Sequence, residues 1–272
     1  MLPPRRIAEL LLLFALPALV LTTGCTRSTQ AETHPGTAVV IFVDFSESIG
    51  GTDRSGFKRE LEKQVLPWLQ PGDSIMIAPI TDKTLTEFRP LVEADLPARP
   101  QFNGWVNNVM KHNKEKKETE ARILQVKETL RTQTAEALTR KYQARYTDIF
   151  SSLLLAEKIF SAESRRKVLI LMSDMVEDYP PYAFDRMSWT PNTTQKLLAD
   201  LTTKKMIPDL SGVCVYVSGV SAPSAELARH IGTFWEAYFR RTKADLDPSR
   251  YAHVLLHWPP QTGCRAGSGR AA

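Results

Sequence analysis

The sequence predicts an α/β protein: a doubly wound, mainly parallel sheet with helices on both faces and one helical insertion. Three observations predict it. Near-continuous apolar runs, "AVVIFV" from 38, "KVLILM" from 167 and "VCVYV" from 213, suit strands buried on both faces. Segments with apolar residues at three- and four-residue spacing suit amphipathic helices. The two kinds of segment alternate, which is how parallel strands are joined.

The first strand is 38–44. In "SGFKRELEKQVLPWLQ", Phe57, Leu61, Val65 and Trp68/Leu69 share one helical face. "PGDSIMIAPI" supplies a turn and a second strand, and "KTLTEFRPLV" an edge strand interrupted by Pro90, because proline cannot donate to a ladder. Residues 106–146 break the alternation and read as a long charged helix or helical hairpin. Ten Lys/Arg and five Glu lie between Lys111 and Tyr146, with Ile123, Val126, Leu130 and Ala137/Leu138 as a modest apolar stripe. That pattern suits a solvated excursion docked by one stripe; the sharper alternative is a partner-binding or lipid-facing arm. "TDIFSSLLLAEKIF" is the next helix, "RKVLILMSDM" and Gly212–Val217 are strands, "SAELARHIGTFWEAYF" is a helix, and "AHVLLHW" closes the pattern as a strand.

The 272 residues are 43% apolar and 24% charged, ordinary for a globular chain, and 37–258 reads as one domain. A net charge of +5 raises nucleic acid or an anionic membrane as partners. The N-terminus argues against nucleic acid. Arg5 and Arg6 precede an apolar run, Leu10–Leu21, that is broken by Pro17 and too short to span a membrane comfortably. Residues 1–24 therefore have the layout of a secretory signal peptide. "LTTGC" resembles the bacterial lipobox, with Thr22 departing from the usual leucine, and implies that Cys25 is lipidated and N-terminal after cleavage. Residues 25–36 read as a tether and 259–272 as a flexible tail. The expected location is the bacterial cell envelope, anchored by lipid and facing periplasm or exterior, with no nucleic-acid partner. Cys214 is expected to be a buried thiol and Cys264 a thiol in the tail, although this compartment permits a bridge.

Oxygen donors gather at three strand and helix edges. Asp44, Ser46 and Ser48 follow the first strand, Thr147 opens the helix after the insertion, and Asp174 ends the strand "KVLILMSD". Doubly wound sheets bind ligands at the carboxyl ends of their strands, so neighbouring strands would bring all five together. Two carboxylates and three hydroxyls form a hard, low-charge set suited to Mg²⁺ or Mn²⁺, with water or a partner's oxygen completing the coordination. "DFSES", the "TD" of "RYTDIFSSL" and "LILMSD", in this order, resemble the three loops of the metal-ion-dependent adhesion site of von Willebrand factor type A domains. The resemblance covers 37–258 without the insertion. It implies that Ser46 and Ser48 bind metal directly and that Asp44 acts mostly through water and by holding its loop. It also implies that Thr147 and Asp174 exchange direct and water-mediated roles. Met175 stands where members often have glycine, which reshapes the rim but removes no ligand atom. Capping and turn formation are the plainer reading of such residues, and Asp148 is read as an N-cap. Glu177 and Asp178 are read either as rim or as loop solvation.

Rival chemistry is weaker. Asp44 as the nucleophile of a Mg²⁺-dependent phosphohydrolase would need a second acid two residues on, where Ser46 stands. There is no G-x-S-x-G, H-E-x-x-H or G-x-x-x-x-G-K. His253 and His257 lack a third ligand. The chain is read as a non-enzymatic binding module whose metal captures an acidic residue of a partner protein. The phosphohydrolase is the alternative. A third reading makes the 106–146 arm the working part and the metal loops folding elements.

Overall fold

Five strands form one sheet in the order β3-β2-β1-β4-β5: β1 (Thr37–Asp44), β2 (Ser74–Ile80), β3 (Val92–Asp95), β4 (Arg166–Met172) and β5 (Val213–Ser218). The computed structural model describes residues 36–102, 104, 108–140 and 144–260; the expected signal peptide 1–24, Cys25, the rest of the expected tether to 35, and residues 261–272 of the expected tail, Cys264 among them, lie outside the described residues. β1 pairs in parallel with β2 and β4, and β4 with β5; only β3 is antiparallel. The chain runs outward from β1 to β2 and β3, then crosses back to β4 on the other side. The crevice of a doubly wound sheet therefore opens between β1 and β4 at their carboxyl ends.

All eight residues of β1 are buried, as a strand covered on both faces requires. Val40 and Phe42 face a core shared with α4 (Ile149–Ser161), α5 (Thr193–Thr203) and α6 (Ala225–Arg241). Val39, Ile41 and Val43 face the other core, with α1 (Gly51–Glu60), a π-helical turn Leu61–Val65, α2 (Leu66–Trp68) and α3 (Val109–Thr139). The amino edge is fixed by Asp73, fully buried, which accepts from Thr37 N at 2.7 Å and Gln70 N at 2.6 Å. Beside it Gly36 has φ +76°, and a Cβ there would lie 2.6 Å from the Gly72 carbonyl oxygen, so the position takes glycine.

Several expectations are corrected. Of the two forms expected for the insertion, the described residues show the long helix, 31 residues, and its buried stripe is the expected Ile123, Leu130, Ala137 and Leu138. The edge strand begins only after Pro90, because "KTLTEF" is spent on turns in which Thr81 and Thr84 bond each other. "AHVLLHW" is not a strand. Tyr251 and Ala252 instead meet Val217 through one bridge and one bond, after which His253 O and Ala252 O accept from Gly219 and Val220. α5 is absent from the sequence reading. Its stretch offers only Leu197, Leu198 and Leu201 to the core, among threonines of low helix propensity. Cys214, expected as a thiol, is disulfide-bonded, and its partner lies outside the described residues.

If α3 is held by one stripe, truncations along it should divide sharply. Leu130→Ala should cost about 3 kcal/mol, whereas Leu124→Ala, at an exposed position, should stay within about 0.5 kcal/mol. Urea denaturation of both variants checks this.

Candidate metal centre

β1 ends in Asp44, whose carboxylate is fully buried at the β1–β4 crevice. Val43 and Met172 are register partners, so the next residues, Asp44 and Ser173, are also neighbours. Asp44 Oδ2 accepts from Ser173 Oγ at 2.7 Å and Oδ1 from Ser46 N at 2.8 Å. Ser46 Oγ and Ser48 Oγ are 2.9 Å apart, and Asp174 Oδ1 accepts from Val176 N at 2.9 Å. One chain of polar contacts, Ser173–Asp44–Ser46–Ser48, thus links the loop after β1 to the loop after β4, where Asp174 follows Ser173.

The loop before α4 joins the same edge. Ala144 bridges Ser46, and Asp178 N donates to Thr147 O at 3.1 Å. Thr147 is therefore bonded through its backbone to one neighbouring loop and sits three residues from a bridge to the other, while its hydroxyl is outside the chain described above. Of the five expected ligands only Ser48 is exposed; Asp44, Ser46, Thr147 and Asp174 are buried.

The surrounding acids have other work. Asp148 caps α4 as expected, accepting from Ser151 N at 3.0 Å. Glu177 belongs neither to a rim nor to a solvated loop. It is fully buried, and its Oε2 accepts from Ile149 N at 2.8 Å and Phe150 N at 3.3 Å, satisfying free donors of the first turn of α4. Asp178 pairs with Arg186. His253 and His257 are exposed and lie on irregular backbone. Two contributors were missed in the sequence. Ser173 stands just before Asp174 and carries no motif signal of its own, although strand register pairs it with Asp44. Arg54 donates to the carbonyls of Phe45 and Ser46 at 3.4 and 3.5 Å, and its charge opposes that of Asp44.

Met175 occupies a backbone position that favours glycine. Its φ is +67°, in the left-handed region. The side chain turns away from the rim and is fully buried in the core, while its carbonyl accepts from Trp235 Nε1 at 2.8 Å. Burial and that bond offset a backbone strain of about 1–2 kcal/mol.

No family model and no curated protein matches the sequence. Among solved structures, a manganese-loaded TRAP protein of Plasmodium vivax is similar at 13% identity and TM-score 0.37, covering 74% of this chain and 64% of that one, less than two thirds of it. BatB, a conserved hypothetical protein of Bacteroides thetaiotaomicron, is similar at 11% identity and TM-score 0.39, over 74% of this chain and 87% of that one. An aerotolerance-related membrane protein of Bacteroides fragilis NCTC 9343 is similar at 14% identity and TM-score 0.33, over 70% of each chain. Likeness at this level identifies neither ligand nor activity.

The donor set itself fits a small hard cation. It offers oxygen alone, two carboxylates and three hydroxyls; among the described residues no group of three or more His, Cys, Asp or Glu is placed to hold a metal. Burial raises Asp44 above the usual carboxylate range, against hydrogen bonds from Ser46 and Ser173. Burial, and then the charge of Asp44, pushes Asp174 up to about 7. In the absence of a cation, Asp174 therefore keeps its proton in the fold to about pH 7 but loses it near 3.8 when unfolded. Its contribution to stability is complete below pH 4 and is lost as pH rises through 7, a loss of about 4 kcal/mol. Asp44, Asp148 and Glu177 are raised as well, so the wild-type trend is steeper than that of Asp174 alone. Urea denaturation in EDTA at pH 4.5 and 7.5 should show a smaller fall in Asp174→Asn than in wild type.

Proposed function

We propose that the mature chain is a lipid-anchored binding module of the bacterial cell envelope. Asp44, Ser46, Ser48, Thr147 and Asp174 hold Mg²⁺ or Mn²⁺ at the carboxyl edge of the sheet, and the ion captures an acidic residue of a partner protein. The contact chain Ser173–Asp44–Ser46–Ser48 at the β1–β4 crevice, with Asp174 buried next to Ser173, carries this reading. Capping alone would account for Ser46 and Asp148, but not for a fully buried carboxylate at the end of β1 bonded to a hydroxyl from the end of β4, with a second buried carboxylate beside that hydroxyl in sequence. With both oxygens engaged, Asp44 suits loop holding and water-mediated contact more than direct ligation, as the von Willebrand type A resemblance implies. Hydroxyl-rich coordination leaves the ion electrophilic enough to accept an outside carboxylate. The anchor reading rests on "LTTGC" at Cys25. Among the described residues no helix is long and apolar enough to cross a membrane. Asp44 is poorly disposed as a phosphoryl acceptor, because it is fully buried and Ser46 supplies no general acid.

A melt in EDTA against a melt in Mg²⁺ or Mn²⁺ tests the site. At a hundredfold excess over Kd the cation should add about 2.7 kcal/mol, seen as a rise of several degrees in Tm. Ser48→Ala, at an exposed position that keeps the fold, should abolish most of the rise, and so should Asp44→Ala. Indifference of the wild-type melt to both ions would sink the metal site. Phosphatase turnover that disappears in Asp44→Asn would favour the enzymatic alternative.

A further inference from the structure

The part of α3 that packs on the core is its second half. Its buried stripe starts at Ile123, and no residue from Val109 to Arg122 is buried. Lys127 Nζ reaches Pro67 O at 3.3 Å, which fixes the level of the helix against the fold. Pro67 belongs to the amino edge of the sheet: three residues on, Gln70 N bonds the same Asp73 carboxylate that holds Thr37 at the start of β1. From Lys127 back to Val109 is about 27 Å of helix at 1.5 Å per residue. The first turns of α3 therefore project past the amino edge, while the candidate metal centre lies at the carboxyl edge.

The composition of that projection does not serve helix stability. The first turn contains no acid, and Val109–Lys117 holds four lysines and one glutamate, so like charges face the positive end of the helix dipole. Lys111 and Lys114 meet Glu115 and Glu118 only at 3.9 Å, with lysine side chains 75% and 78% exposed. Exposed pairs of this kind are worth little, and lysine N-terminal to glutamate is the weaker order. The same tip exposes apolar surface: Met110 is 81% exposed, Val109 59% and Phe102 51%. Phe102 is held there by its ring contact with His112 at 5.1 Å.

From these observations we infer that the projecting tip of α3 docks on an anionic lipid bilayer surface. Lysines meet phosphate headgroups, and Phe102, Val109 and Met110 enter the boundary with the acyl region. The chain's own course fits this occupant. β1 begins at the same edge, and ten residues separate Cys25 from Gly36, eleven residue steps that reach at most about 40 Å. In this respect the inference rests on the lipid-anchor reading. Tip and tether would together hold the amino edge at the membrane and turn the metal edge away from it, toward a partner.

The test uses the chain from Thr26 onward, which retains the whole unit His34–Ala272 and lacks the lipidated cysteine. Co-sedimentation is measured with vesicles of phosphatidylcholine alone and with phosphatidylglycerol added, at low and at physiological salt. Binding is expected only with the anionic lipid and should weaken with salt. Each lysine at the surface contributes about fivefold, so Lys111→Gln/Lys114→Gln/Lys117→Gln should lower partitioning on the order of 100-fold. Phe102→Ser/Met110→Ser should lower it further at high salt, where the apolar part dominates. Both variants change exposed residues, so unchanged melts confirm that the fold is intact. Equal binding of wild type and the triple variant, or none to anionic vesicles, overturns the inference, and a tip that serves a protein partner gives that second result. The mass of Cys25-containing protein from membranes tests the anchor separately, so failure of one reading is distinguishable from failure of the other.

Discussion

The central constraint is the burial of a carboxylate at the end of a strand covered on both faces. β1 lies between two helical layers, so Asp44 must find its partners inside the protein. Leaving such a group without them costs several kcal/mol, more than most single contacts in a domain supply. The fold meets the demand with Ser46 N and the Ser173 hydroxyl, one from each side of the crevice. Those two bonds also fix where the loops after β1 and β4 run. The placement of Ser48 and Asp174 follows from them, and the loop before α4 is drawn in through Ala144 and Asp178.

The second organising fact is that the two edges of the sheet do different work. At the amino edge Asp73 closes a turn and Gly36 admits the chain, both with ordinary structural contacts. At the carboxyl edge Asp44 and Asp174 lie buried beside Ser46 and Ser173. Two acids are raised by burial with the single nearby guanidinium of Arg54 opposing Asp44. Structural carboxylates such as Glu177 contrast with this. It is just as buried, but it accepts from backbone donors that would otherwise go unmet at the start of α4.

Most of this architecture was legible in the residues. Strands buried on both faces announce themselves as unbroken apolar runs, and β1, β4 and β5 lie where those runs are. The spacing of Ile123, Leu130 and Ala137 was enough to find the buried stripe of α3. What escaped depends on distant partners. "AHVLLHW" has the composition of a strand, but it meets β5 through only a bridge and a bond before turning to cap the loop at Gly219 and Val220. α5 is stabilised by a Thr190–Thr193 hydroxyl network at its start rather than by a strong apolar pattern. The bridge at Cys214 was open to either outcome, since sequence alone does not pair cysteines. Within the candidate site, the hydroxyls were visible as a motif, whereas Ser173 and Arg54 became evident only once strand register and helix position were known.

Met175 has a consequence for how the rim behaves. A glycine in a left-handed turn leaves the backbone free to swing, because no side chain holds it. Here the same turn is pinned, since the methionine is sunk in the core and its carbonyl is gripped by an indole from α6. The segment carrying Asp174 is thus a peg rather than a hinge. On the proposed reading, a partner would meet an edge already set in shape, with Ser48 as the exposed member of the donor set.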